Sequence, residues 1–531
     1  MPALAAILDR DLERLAPLVG TRRSWWLREA LAADPGVACP PLAGEATTDV
    51  AIVGGGFTGL WTAWQLLEQA PGIRITIIEQ DIVGGGPSGR NGGFLTGWWD
   101  SLPALVRHFG EEGGVAAALE CERAPGDVAA WCERHGVDAG FRAKGSLLAS
   151  TSAAQDDAFD GSVELATRLG YGDRFRAIPA AEMQGLGGSP RLRAGYLVPG
   201  DANIQPARLA RGLRRVLLER GVMIHEGTRL RRLRPGGPGQ AVVLETEVVA
   251  PDVADSMEAV GAPIGTRADS MEAVGGSTGV RGTPGLAPGS LGTLTADRVV
   301  LALNAWAASW RRFGSRLVTW SSYIVLTEPI PDRLAEIGYT SGHAISDGRF
   351  TNHYWQATLD GRIAFGGGGG RAGYGGRLGE WVTHDLGSVR LAARGFRRLY
   401  PQLADVGLED AWGGPIDVAP DHLPTFGTLS PGNVHYGHGY SGTGVGPAHL
   451  GGRILAALAL GRLEDPVARL PLVEHRPRRF PPEPFRFVGA RVIREAIVAK
   501  EQRDDLGRPS PRLLRALVRL PRTMGYDLGP E

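Results

Sequence analysis

Residues 49–94 limit what this chain can fold into more than any other stretch. They open DVAIVGGGFTGLWTAWQLL, continue IRITIIEQ and close on GGGPSGRNGGF. Residues 49–53 are apolar enough for a buried parallel strand, and Gly54-x-Gly56-x-x-Gly59 comes next without a gap. Residues 60–67 have helical spacing, and 73–78 read as a second buried strand ending at Glu79. A lone G-x-G-x-x-G says little. Here it lies between strand and helix in a unit of about 30 residues, with an acid about 20 residues past its last glycine.

Each position has a physical reason. Gly54 permits the tight turn, Gly56 lets the backbone approach a pyrophosphate, and Gly59 allows the helix to close on the strand. The helix N-terminus, with Phe57 and Thr58 in its first turn, aims free N–H groups and a partial positive charge at phosphate. Glu79, with Gln80 after it, stands where a carboxylate accepts from ribose hydroxyls and disfavours a 2′-phosphate. The stretch predicts a dinucleotide site.

The residues after Glu79 separate the dinucleotides. A nicotinamide enzyme would continue with another strand–helix unit. This chain runs instead through residues 84–93, GGGPSGRNGG, too rich in glycine for a regular element and suited to an extended loop. With that loop the chain resembles the FAD-dependent oxidoreductases of the D-amino-acid oxidase superfamily, in the branch of glycine oxidase, sarcosine oxidase and gamma-glutamylputrescine oxidase. Relatives carry G-A-S-G-R-N-G-G where this chain has Gly86, Pro87, Ser88, Gly89, Arg90, Asn91, Gly92 and Gly93, so Pro87 is the single departure.

The far end of the chain is similar to the same family. Residues 412–427 read WGGPIDVAPDHLPTFG, and 433–461 read NVHYGHGYSGTGVGPAHLGGRILAALALG. The second is a short strand, a glycine turn with Gly442 and Gly444, and an apolar helix beginning near Val445, with Pro447 tolerated in its first turn. In the family this helix points its N-terminus at the flavin, where its dipole favours the negative charge of the reduced ring. Residues 298–306, RVVLALNAW, stand where the family has a similar strand, placing Asn304 beside the cofactor. Ser24, Trp25, Trp26 and Leu27 also look like this branch. The resemblance spans roughly residues 20 to 500.

Composition excludes other classes. Equal counts of 57 basic and 57 acidic residues leave no electrostatic footprint for nucleic acid. Cys39, Cys121 and Cys132 form neither an even disulfide set nor a C-x-x-C pair, which fits a reducing cytoplasm. Asp9, Arg10, Asp11 and Glu13 interrupt any leader-like apolar run, and no apolar stretch is long enough to span a bilayer. The eleven histidines show no metal-ligand spacing, so no metal is expected.

The expected architecture is α/β: a Rossmann-like FAD-binding domain with a discontinuous, mostly antiparallel β-sheet substrate domain. Residues 1–105, 200–310 and 406–475 are assigned to the first, 106–199 and 311–405 to the second, and 476–531 to a basic C-terminal extension. Within 251–292, ADSMEAVGAPIGTR (254–267) runs directly into ADSMEAVGGSTGVR (268–281), a tandem duplication in Gly- and Pro-rich surroundings expected to stay disordered. The extension carries thirteen Arg or Lys against seven Asp or Glu, with Arg512, Arg515, Arg519 and Arg522 at helical spacing. We expect that helix to dock its apolar side on the parent domain rather than on a membrane.

The resemblance implies oxidation of a C–N bond of an amine or N-substituted amino acid to an imine, by hydride transfer to flavin N5, with O2 or another acceptor reoxidising the flavin. On the substrate side His353, Tyr354 and Gln356 precede the turn at Asp360 and Gly361, and His438 and Tyr440 flank the glycine turn facing the ring. Relatives acting on free amino acids often have Tyr-x-Arg where this chain has Tyr354, Trp355 and Gln356. Gln cannot make the bidentate charged contact of Arg, which moves the expectation toward amines or polyamine derivatives. Residues 406–446 lack the cysteine that carries covalent flavin in some relatives, so the FAD is expected to be noncovalent. The alternatives left open are a same-fold enzyme oxidising a hydroxy acid and a non-catalytic flavin-binding subunit.

Overall fold

Apolar strands from both ends of the chain and from its middle share one sheet. The computed structural model describes residues 2–15, 23–237, 239–249, 287–367, 369–382 and 385–527. The strand Gly44–Val53 lies between Leu291–Leu301 and Ile75–Ile78 and is parallel to both, with Val50 opposite Arg298 and Ile75. Met223–His225 and Val434–His438 extend the parallel set outward, and Thr425–Leu429 closes one edge antiparallel. Leu291–Leu301 is long enough to pair twice on one side. Its end meets Val434–His438, and its beginning meets an antiparallel ribbon of Val242–Val248 and Thr228–Arg234.

Both faces of this sheet are covered, which is why residues 50–53 read as a continuous apolar run. Val50, Ile52 and Ile77 face a core with Leu60, Trp61, Leu66, Ile454 and Leu455, whereas Ala51, Val53 and Ile78 face Leu230, Leu233 and Leu294. The helices Phe57–Gln69 and Val445–Leu460 cross on the first face at backbone contact. A Cβ on Gly452 would lie 2.5 Å from Trp61 Cβ and 2.7 Å from the Trp61 carbonyl carbon.

The second sheet runs Leu408–Val418, Val318–Thr327, Ile363–Gly367, Tyr354–Ala357, Ala344–Asp347, Ser146–Ala149, Gly195–Val198, Arg176–Ile178. Every pairing is antiparallel except Ala344–Asp347 with Ser146–Ala149. The helix Leu386–Leu399 covers it, burying Val389, Ala392, Ala393 and Phe396, and Asp385 caps that helix by accepting from Ser388 N–H at 3.1 Å.

Two segments fall elsewhere than the sequence places them. Leu408–Val418, assigned to the block beginning at 406, pairs along its whole length with Val318–Thr327 of the second sheet, and the chain crosses to the first sheet only after it. The N-terminal helix Pro2–Leu15 packs Leu8 and Leu15 into the core of the second sheet with Phe396 and Leu403. Its Asp11 and Arg397 are both almost wholly buried and form a bidentate pair at 2.8 and 2.9 Å, while Arg397 also donates to the carbonyls of Leu403 and Val406. The duplication at 254–281 lies outside the described residues. In the extension, the helix Arg512–Thr523 buries Pro521 but leaves Leu513 and Leu520 exposed, so its apolar side is only partly docked.

The sheets are tied at Asp417, at the end of Leu408–Val418. Its buried carboxylate accepts from Gly439 N–H at 2.5 Å and Asn304 Nδ2 at 3.2 Å, both on the first-sheet side. Burial pushes this carboxyl from its ordinary 3.8 up to about 7.

These buried charges lead to two expected outcomes. Asp11→Ala leaves the Arg397 guanidinium buried without its carboxylate and should cost about 3–5 kcal/mol, read as a lower urea midpoint. The stability Asp417 brings in its protonated form is complete below pH 3.8 and is lost as pH rises through about 7. Unfolding measured across that interval should therefore show the wild-type apoprotein losing stability relative to Asp417→Asn.

Candidate active site

A cavity of about 910 Å³ runs between the two sheets. At one end the first-sheet motif is built as its spacing requires. Gly54 has φ +112°, and a Cβ there would lie 2.4 Å from Ala302 O; a Cβ on Gly59 would lie 2.1 Å from Gly54 O. The strand, turn and helix can therefore close only on glycine. That closure opens the N-terminus of Phe57–Gln69 onto the cavity, with Gly54, Gly56, Phe57 and Thr58 in its wall. Ser88 Oγ accepts from Phe57 N–H at 2.9 Å and supplies one cap; the neighbouring first-turn amides face a site suited to phosphate.

Glu79 lines the same end together with Gln80. Its carboxylate accepts from Gly55 N–H at 2.7 Å and Asp81 N–H at 2.9 Å, and burial pushes it up to about 7 against those bonds. Each oxygen keeps acceptor capacity for a hydroxyl.

The loop at 84–93 forms the next part of the wall through Ser88, Arg90, Asn91 and Gly92. Asn91 braces it from within, donating to the carbonyls of Pro87 and Ser88 and accepting from Gly93 N–H at 2.7 Å. Arg90 donates to Gly85 O at 2.8 Å and Gly413 O at 3.2 Å, and Trp412 Nε1 donates to Arg90 O, so the loop is stitched to the second sheet. Gly59, Gly89 and Gly93 do not line the cavity and act beneath it.

The far end is closed by Asn304 and by Gly442, Thr443, Gly444 and Val445. The helix Val445–Leu460 begins there with no side-chain cap, so a second N-terminus faces the cavity. Tyr440 lines the wall, but its hydroxyl accepts from Thr58 Oγ1 at 2.9 Å and joins the two helix starts.

The five substrate-side residues separate. Tyr354 lines the cavity and shares a 2.8 Å hydrogen bond with Ser322 Oγ. His353 lies behind it, its Nδ1 2.8 Å from Asp347 Oδ2. Burial raises the Asp347 carboxyl, but His353 and Arg349 outweigh that and hold it well below the carboxylate range. His438 is buried against Phe313 and Tyr436, and desolvation lowers it to about 4, so it is neutral. Gln356 donates to Gly92 O and Ile204 O and accepts from Arg142 and Asn203, which uses its amide to hold the loop. Neither histidine nor Gln356 lines the cavity.

Other wall residues carry no local signal in the sequence. Asp201 accepts from Gly97 N–H at 3.1 Å and from Ser146 Oγ, and burial pushes it up to about 7. Asp100 accepts from Ser101 Oγ at 3.3 Å, and desolvation raises its pKa too. Arg349 pairs with Asp347 at 3.1 Å and with Asp505, and Arg107 pairs with Asp527. His422 lies inside the 412–427 motif and could have been singled out there; it lines the wall with φ +58°.

The wall fits FAD: Gly54, Gly56, Phe57 and Thr58 suit its pyrophosphate, Glu79 its ribose, and Val445 an electron-rich edge of its ring. Comparisons with known proteins agree. The family model "FAD dependent oxidoreductase" matches residues 49–458. The chain is 29% identical over 436 residues (80% of this chain, 85% of the other) to "Probable oxidoreductase OrdL" of Rhizobium meliloti (strain 1021). It is 24% identical over 458 residues (85% and 91%) to gamma-glutamylputrescine oxidoreductase of Escherichia coli (strain K12). Glycine oxidase from Geobacillus kaustophilus superposes with a TM-score of 0.56 at 20% identity, covering 78% of this chain and 95% of that one. This chain belongs to the family of FAD-dependent oxidoreductases.

Proposed function

We propose that this enzyme oxidises the C–N bond of an amine or N-substituted amino acid to an imine, which water then hydrolyses, and that O2 or another acceptor reoxidises its FAD. The observation that carries the reading is the charge on the wall beyond the FAD motifs. Asp100 and Asp201 line it with no cationic partner among the described residues, whereas Arg349 and Arg107 are already engaged by carboxylates. An entering ammonium meets uncompensated acid; a carboxylate entering beside Arg349 or Arg107 meets a guanidinium that is already paired. The names of the relatives, a gamma-glutamylputrescine oxidoreductase and a glycine oxidase, support the same substrate class.

Bound FAD supplies the two-electron acceptor for a hydride from the carbon next to nitrogen. The protein's part is to orient the substrate, exclude water and make the amine neutral. Asp201, with its carboxyl near 7, can take a proton from the ammonium, while Ser146 and Gly97 N–H fix where its oxygens lie. Tyr354 and Ser322 offer hydroxyls to the substrate from the second sheet. None of the three buried cysteines lines the cavity, which supports noncovalent FAD.

Anaerobic mixing with a panel of amines and hydroxy acids tests the reading. Amines should bleach the flavin band, and admitted oxygen then tells oxidase from dehydrogenase. Bleaching by hydroxy acids alone would overturn the substrate class, and no bleaching at all would favour a non-catalytic flavoprotein. Asp201→Asn should keep its FAD while slowing reduction by about a hundredfold or more at neutral pH. In the wild type the rate should climb as pH rises through about 7, and that step should be missing from the variant.

A further inference from the structure

The family match ends at residue 458, yet the chain beyond it returns to the substrate side of the cavity. The helix Phe485–Asp504 ends there, with Glu501 and Asp505 set against the segment 346–354 of the second sheet. That segment lines the cavity through Ser346, Asp347, Arg349, Phe350, Asn352 and Tyr354. Glu501 fixes its backbone, accepting from Thr351 N–H at 3.0 Å and from Thr351 Oγ1.

The Arg349 side chain is only 6% exposed, and each of its guanidinium nitrogens faces a carboxylate. Nε lies 3.1 Å from Asp347 Oδ2, Nη2 pairs with Asp505, and Nη1 lies 3.9 Å from Glu501 Oε2. Asp347 is shared with His353 Nδ1 and Thr151 Oγ1, so it takes only one side of the guanidinium. The two terminal nitrogens, the fork that would grip a ligand carboxylate bidentately, are the ones met by the C-terminal helix. Arg398 lies 3.1 Å from Asp505 Oδ1, but it also donates to Thr151 O and Oγ1 at 3.0 Å. A ligand carboxylate could take the Arg349 fork only by depriving Asp505 of one of its two cations.

We propose that Glu501 and Asp505 are positioning residues that set specificity: they occupy the fork of Arg349 and deny a wall arginine to ligand carboxylates. This rests on the amine reading above and narrows its substrate class to amines that present no carboxylate at this wall.

Calorimetric titration of the holoenzyme with butyrate, and with butyramide as its neutral isostere, tests this without turnover. Both should bind the wild type weakly and alike. Asp505→Asn should tighten butyrate by about tenfold or more and leave butyramide unchanged at full FAD content. Asp505→Glu should keep the wild-type pattern, and adding Arg349→Gln to Asp505→Asn should remove the gain. Glu501→Gln should shift butyrate the same way by less, since Glu501 stands farther from the guanidinium. The assignment falls if the wild type already prefers butyrate, or if butyrate does not tighten in Asp505→Asn. It falls equally if butyramide tightens as much, or if the gain survives Arg349→Gln. Loss of FAD from both single variants overturns it too, because the pair then serves the fold alone. Amine turnover with butyrate binding unchanged removes only the role of Glu501 and Asp505. Tightened butyrate in an enzyme that no amine reduces removes only the amine reading.

Discussion

Two backbone contacts that no side chain could occupy organise this protein. Gly59 closes against Gly54 O, and Gly452 closes against the backbone of Trp61. The first brings the helix Phe57–Gln69 onto the central strand; the second brings Val445–Leu460 onto that helix. As a result two helix N-termini, separated by nearly 400 residues of chain, open on one cavity, and Thr58 and Tyr440 bond across the gap between them. Both partial positive charges then face the same cavity, one where phosphate is expected and one suited to the charge of a reduced flavin. The geometry at the cofactor is thus a packing consequence before it is a matter of particular ligand side chains.

That dependence explains what was legible. Strand, turn and helix are local, so Gly54, Gly56 and Glu79 could be read from spacing, and each lines the cavity. Gly89 and Gly93 carry the same family motif but lie beneath the wall, because a motif records what the loop needs to fold as well as what touches the ligand. The substrate side was less legible because its residues are assembled across sheet pairings. The strand Tyr354–Ala357 alternates, so Tyr354 reaches the cavity while its neighbour Trp355 is buried in the core. Gln356 then meets the glycine loop and Arg142 instead of the ligand, a partnership with no signature in the surrounding sequence. His438 was a plausible ligand by position, but Phe313 and Tyr436 enclose it.

The same distinction separates two kinds of buried acid. Asp347 is surrounded by His353 and Arg349 and stays ionised, which makes it a fixture of the fold. Asp201 and Asp417 have only N–H or O–H donors, and burial leaves their carboxyls near 7. Asp417 uses its oxygens to join the sheets through Gly439 and Asn304. Both line the cavity, but Asp201 has no cross-sheet tie of that kind, which is why the proton transfer proposed above falls to it rather than to Asp417. Environment rather than residue type assigns these roles.

The C-terminal tail extends this logic to the cavity wall. Three of its acids are held by the rest of the protein, Glu501 by Thr351, Asp505 by Arg349, and Asp527 by Arg107 and His108. Ion pairs at half-exposed positions such as Arg107 contribute little stability. The wall differs in potential: Asp100 and Asp201 line the cavity with no cationic partner among the described residues. A cation moving toward these acids moves down a favourable potential, whereas an anion is favoured at the two helix N-termini that suit FAD. Acid on the wall beyond the nucleotide-binding motifs is what the rest of the cavity adds to the nucleotide fold.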